Sequence, residues 1–293
     1  MKILGALASL SRPLHVLFAS LTYVLGAAIA RYLGAQIRPD IFWLGLVGIV
    51  LAQVSMDLLG ACFRPATEPL VPDEDPELRR ILRNLGMYTA ITALAALGSV
   101  ALVLNSVSGL SAAAVLSLGF SLMVILSFGV PPARLEDRGF GELLLAVQIA
   151  YLSPSIGFLL QNGSYHPLLL ACILALTLLL GATLIAWEFP SFAQDLKYER
   201  STLLTRLGWE RASRVHHLLL LAAYGVLAYA AVLGFSFGAF LPAFLTLPFA
   251  LLQVYFLRNI SLGARPIWSL LRTNALAIFG LTVYFLTVSF WLR

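Results

Sequence analysis

The stretch from Glu188 to Gly208, EFPSFAQDLKYERSTLLTRLG, sets carboxylates, bases and hydroxyls close together between two long apolar runs. Glu188, Asp195 and Glu199 are spaced i, i+7, i+11. Earlier in the chain Asp57, Arg64 and Glu68 repeat that spacing. On a continuous helix these offsets share a face, although Pro65 and Pro190 disturb it. Asp57 and Glu188 fall at the ends of apolar runs. Ionisable groups are costly there and mark function, the bland alternative being that they reach the interface or pair with Arg64.

The elements that must position these groups are membrane helices. The chain has 293 residues, 60% hydrophobic and 11% charged, against about 25% charged in a soluble domain. Runs of about 20 apolar residues are the spanning unit. Nine are read, at roughly 14–33, 41–63, 85–105, 110–130, 141–160, 166–188, 215–235, 237–257 and 272–292. The boundary between the seventh and eighth rests only on GFSFG, and eight and ten are the alternative counts. The reading is therefore an all-α integral membrane protein, one domain over residues 1–293, with nine transmembrane helices around a central cavity opening to the cytoplasmic side. The repeated acid spacing hints that spans 1–4 and 5–8 are related halves.

Charge orients the bundle. With the N-terminus in the cytoplasm, only Arg31, Arg38 and Arg293 of the 19 bases fall outside, which is the positive-inside pattern. Of the 14 acids only Asp40 falls outside. Function is thus expected at the cytoplasmic mouth, in a prokaryotic inner membrane, with the C-terminus outside. The net charge of +5 is a topology signal, and no nucleic-acid partner is expected. Cys62 and Cys172 make neither a disulfide framework nor a zinc spacing.

Local signals mark the loops. Asp75-Pro76-Glu77 reads as a helix start, and Ser201 to Gly208 as a short capped helix, so each long loop is expected to carry a short helix over the cavity. Asp73 and Glu74 read as loop acids. His216 and His217 read as an interfacial pair or, less simply, as a base for an acceptor. His15 has no partner evident in the sequence. Tyr151, Phe158, Tyr255 and Phe256 either face lipid or line a pocket for a cation.

Several segments resemble the UbiA superfamily of intramembrane prenyltransferases, most closely its menaquinone-type branch. SRPLHVLFASLTYVLGAAIA (11–30) is similar to that family's Arg-Pro lead into its first span. LAQVSMDLLG (51–60) resembles the Gln-x-x-x-Asn approach to its first Asp-rich motif. VPPARLEDRGFGELL (130–144) resembles its Pro-Pro, then Arg-Gly-x-Gly-Glu segment, and DLKYERSTLLTRLG (195–208) the end of its second motif.

The resemblance implies an enzyme that moves a prenyl group from a prenyl diphosphate to a lipid-soluble, aromatic or quinone-precursor acceptor, with Mg2+ on the diphosphate and the lipid tail in an apolar tunnel among membrane lipids. It implies metal ligands at Asp57, Glu68, Glu188, Ser191 and Asp195, with Asp57 and Asp195 as catalytic groups. It implies diphosphate contacts from Arg64, Lys197 and Arg200. Arg138 either joins them or only enforces topology. The motifs depart from NDxxDxxxD and DxxxD: Gly60, Ala61, Arg64 and Glu68 stand in the first, and Ser191 and Asp195 in the second. A terpene cyclase of the same superfamily and a catalytically silent lipid-binding member are the alternatives.

Overall fold

A computed structural model describes residues 2–65, 68–71 and 74–293; Asp73 lies outside the described residues. Among these, nine helices are long and apolar enough to cross a membrane: span 1 Pro13–Tyr32, span 2 Pro39–Cys62, span 3 Pro76–Ser108, span 4 Ala112–Gly129, span 5 Gly141–Asn162, span 6 Pro167–Lys197, span 7 Trp209–Val232, span 8 Phe237–Ser261 and span 9 Trp268–Trp291. A short helix, Lys2–Leu10, precedes them. The nine spans expected from hydropathy are all present.

Two loop expectations are corrected. Asp75 does cap a helix, its carboxylate accepting from Leu78 N at 2.6 Å, but that helix runs on without interruption to Ser108 as span 3. After span 6 the capping residue is Thr202, not Ser201. Thr202 and Thr205 form a reciprocal capping box on the helix Leu203–Leu207, and Gly208 ends it at φ 75°. A hydroxyl at 202 meets the N3 amide, whereas one at 201 is a residue too early.

Packing follows from small residues and apolar faces. Span 1 crosses span 5 where Gly26 and Gly157 let backbones approach; a Cβ on either would strike the carbonyl of Pro154 or Tyr23. Small residues are the usual means of close helix contact in membranes. Pro154 removes a donor from span 5, and the helix loosens to a π turn over Val147–Leu152. The affected carbonyls find other donors: Thr22 Oγ1 bonds Ile149 O at 2.6 Å, and Ser153 Oγ bonds Gln148 O at 2.8 Å. That is how a proline is tolerated inside a spanning helix. Spans 1, 2, 5 and 6 carry the most buried faces, while Leu116, Leu221 and Val232 on spans 4 and 7 are largely exposed, as a lipid-facing rim requires.

Candidate functional site at the loop-bearing end of the bundle

The loops after spans 2, 4 and 6 meet the start of span 1. Arg12 sits just before Pro13 with a left-handed backbone, φ 45°, an unusual state for a non-glycine residue and one that collects at functional sites. That turn directs its guanidinium inward. Nη2 meets Glu136 Oε1 at 3.0 Å and Nη1 lies 3.9 Å from Asp57 Oδ1. Arg200 joins them, with Glu136 at 3.5 Å and Glu68 at 3.6 Å. Arg64 reaches Glu68 at 3.8 Å.

Arg200 owes its position to the end of span 6. Glu199 N donates to Leu196 O and Arg200 N to Asp195 O, with Glu199 left-handed at φ 53°. This is a Schellman turn. It folds Arg200 back over the helix it has just left, to 3.9 Å from the Asp195 carboxylate. Glu199 is thus a turn residue. The expected helical faces are also corrected: span 2 ends at Cys62, before Arg64 and Glu68, and a 3-10 turn at Phe189–Ser191 breaks span 6 before Asp195. Loop closure, not one helix face, brings these groups together.

The groups enclose a cavity of about 180 Å³, lined among others by Arg12, His15, Glu136, Glu142, Glu188, Ser191, Asp195 and Arg200, with Phe128 and Trp187 as aromatic walls. Its lining mixes guanidiniums with the carboxyls of Glu136, Glu142, Glu188 and Asp195. Glu188 Oε2 accepts from Leu204 N at 3.2 Å, and Ser191 Oγ donates to Asp195 Oδ2 at 2.9 Å. Glu142 Oε2 is buried without a hydrogen-bond partner, and an unpaired buried oxygen is costly unless something meets it.

Electrostatics reflect this crowding. Burial alone raises the Glu136 carboxyl, but Arg12, Arg64 and Arg200 outweigh it and hold the group below its ordinary range. Burial, then the charge of Arg12, pushes the Arg64 guanidinium below its own. The three cations repel one another, and an anion among them relieves that repulsion.

Several expected residues stand elsewhere. Both oxygens of Asp57 are engaged, Oδ1 by His15 Nδ1 at 2.9 Å and Oδ2 by Gln53 Nε2 at 3.0 Å, and Asp57 sits behind the cavity wall, not in it. Asp57, expected as a ligand, has a histidine partner here, and this gives His15 the partner the sequence did not reveal. Lys197 is exposed over the Tyr198 ring and Arg138 is exposed, bonding Pro132 O; neither lines the cavity. Glu68 is held by Arg64 and Arg200. His216 is buried and lies outside the cavity, as do Tyr151, Phe158, Tyr255 and Phe256. Sequence reasoning missed Arg12, Glu136 and Glu142 as site residues. All three stand inside segments that carried the family likeness, which was their available signal.

A second cavity, about 470 Å³, is larger and almost wholly apolar. Spans 2, 3, 4 and 5 form it, with Gly48, Ala52, Leu97, Gly98, Gly119 and Ile156 among its lining. No ionisable side chain lines it.

No family model matches the sequence, and no curated protein matches it. Solved structures do. A digeranylgeranylglyceryl phosphate synthase is similar at 13% identity, with TM-score 0.69 over 100% of both chains. A UbiA homologue from Archaeoglobus fulgidus bound to GPP and Mg2+ is similar at 15% identity, with TM-score 0.67 over 98% of this chain and 100% of that one. A UbiA homologue from Aeropyrum pernix K1 is similar at 15% identity, with TM-score 0.64 over 94% and 97%. With nine apolar helices and full-length overlap, the chain has the intramembrane fold of the UbiA homologues.

Proposed function

We propose that this chain is a UbiA-superfamily prenyltransferase, moving a prenyl group from a prenyl diphosphate to an aromatic or quinone-precursor acceptor. The observation that carries the reading is one cavity that brings the Arg12 and Arg200 guanidiniums together with the Glu142, Glu188 and Asp195 carboxyls beside two aromatic rings. An Archaeoglobus fulgidus homologue of the same fold binds GPP and Mg2+, and another structure of it holds DMAPP and Mg2+. The menaquinone-type likeness of residues 130–144 supports a quinone precursor as acceptor. The charge asymmetry of the loops supports a cytoplasmic mouth with the N-terminus inside, in a prokaryotic inner membrane.

The donor set fits Mg2+ of the kind that is completed by substrate. Among the described residues no group of three or more His, Cys, Asp or Glu forms a ready-made cage. Magnesium at phosphate sites commonly takes one or two carboxylates and fills its shell with phosphate oxygens and waters. Glu142 and Glu188 would hold it, with Asp195 and its Ser191 partner beside them. Bound there, it neutralises charge on the leaving diphosphate. Arg12, Arg64 and Arg200 bind and orient the diphosphate by charge-assisted hydrogen bonds. Phe128 and Trp187 offer ring faces to the allylic cation as the C1–O bond breaks. The apolar cavity among spans 2 to 5 supplies space for hydrocarbon.

The test uses the purified full chain with geranyl diphosphate and Mg2+, reading released diphosphate. Release that falls at least tenfold in Glu188→Gln and in Arg200→Ala supports the site. Release by neither the unsubstituted chain nor its variants sinks the reading.

A further inference from the structure

We infer that His15, held by Asp57, accepts the proton that the acceptor loses when the prenyl group arrives; this rests on the prenyl-transfer reading above. The cavity lining contains one imidazole, that of His15. The ring is 7% exposed and Asp57 behind it is 1% exposed. Asp57 receives hydrogen bonds on both oxygens, from Gln53 Nε2 at 3.0 Å and from His15 Nδ1 at 2.9 Å. A carboxylate accepting from both sides places the imidazole proton on Nδ1 and leaves the lone pair on Nε2. Among the described residues Nε2 has no hydrogen-bond partner, and it is not among the fully enclosed unpartnered atoms. It therefore remains open to whatever occupies the cavity.

A buried aspartate behind a histidine does two things. It fixes the tautomer and ring orientation, and it stabilises the imidazolium that forms. Arg12, 3.9 Å from Asp57 Oδ1, adds a cation that offsets the acid's charge before the histidine is protonated. The acid is a positioning residue. His15 is the group that meets the acceptor.

The step balances. The C1–O bond of the donor breaks and its electron pair leaves on the diphosphate. The acceptor's nucleophilic atom supplies the pair for the new bond to C1. The proton on the acceptor's hydroxyl or aromatic carbon passes to His15 Nε2 and later to water. No oxidant or reductant is needed. An acceptor bearing an acidic O–H or an activated aromatic C–H fits this arrangement. His216 and His217 do not compete for the role, since they lie outside the cavity.

The experiment has two arms on the intact full chain. In the first, diethyl pyrocarbonate is added without substrate and modified histidines are located by peptide mass. His15 should be labelled, inorganic pyrophosphate with Mg2+ should protect it, and Asp57→Asn should slow its labelling several-fold. A His15 labelled only after unfolding, or labelled at an unchanged rate in Asp57→Asn, overturns the dyad. In the second arm the chain receives geranyl diphosphate, Mg2+ and 1,4-dihydroxy-2-naphthoate. His15→Asn keeps a donor toward Asp57 but lacks Nε2. It should retain diphosphate release while prenylated product falls by about 10²-fold, the lower end for a general base. Equal loss of release and product at an unchanged melting temperature, or product at the unsubstituted rate, overturns the role. No release by the unsubstituted chain overturns the prenyl-transfer reading and the acceptor role with it, while the labelling arm still decides whether the dyad exists.

Discussion

The carboxylate of Glu136 stands 2.5 Å from where a Cβ on Gly60 would sit. Glu136 comes from the loop between spans 4 and 5, and Gly60 from the end of span 2. Here the side chain is absent, and an acid from another loop fills the space and meets Arg12. A glycine at one place in the sequence and an acid at a distant one are thus one steric arrangement.

Gly60→Ala tests it. The new methyl would meet Glu136 Oε2 and the Phe128 ring together, and overpacking of this kind costs about 1–3 kcal/mol. The melting temperature should drop, and Glu136→Ala in the same chain should recover part of the loss. Independent, additive losses would mean that the two residues do not share the space.

Glu136 also sets an acid limit on stability. Its folded carboxyl is held below the ordinary value of 4.5 by Arg12, Arg64 and Arg200, despite burial. Unfolded, it titrates near its ordinary value, so the unfolded chain takes up the proton first as pH falls. The contribution is fully present above about pH 4.5 and disappears as pH drops through the lower folded value. Melting temperature measured from pH 7 to pH 3 should fall on the acid side. In Glu136→Gln the curve should start lower and lose less. Parallel curves for the two proteins would count against this linkage.

Much of the frame was readable from hydropathy alone, because a bilayer imposes length and apolarity on each helix in isolation. Asp75 and Gly208 were readable for a similar reason, since caps act within a few residues. The site was less legible. Arg12 and Glu136 are 124 positions apart, and no periodicity joins them. The i, i+7, i+11 spacing misled because span 2 stops at Cys62 and Pro190 interrupts span 6. The cost of Asp57 in an apolar run is legible in the sequence, yet its partner His15 lies on a different helix. Charge type was legible, and charge pairing was not.

The same distinction separates the bases. Lys197 and Arg138 are exposed and do not line the cavity, whereas Arg12 and Arg200 line it and Arg64 stands beside Glu68. Inorganic pyrophosphate binding, measured by calorimetry with Mg2+, should weaken about tenfold or more in Arg12→Ala, Arg64→Ala or Arg200→Ala, which is what a lost hydrogen bond between charged groups amounts to. Lys197→Ala and Arg138→Ala should bind within about threefold of the unsubstituted chain, as exposed cations in screened solvent contribute little. A large loss in Lys197→Ala would return that residue to the site.

Chain length is set, on this reading, by the apolar cavity among spans 2, 3, 4 and 5. Gly98 lies on its wall, and a Cβ placed there meets nothing within 4 Å. Gly98→Phe therefore starts its side chain in open space, and it exchanges a helical glycine for a residue that spans a membrane readily. The fold should survive and the cavity of about 470 Å³ should shrink by most of one aromatic side chain. With diphosphates of increasing prenyl length, the variant should favour the shorter donors, while a short donor such as dimethylallyl diphosphate should be handled as before. If long and short donors lose equally, hydrocarbon does not occupy this cavity, and the tail must instead lie along the lipid-facing side of the bundle.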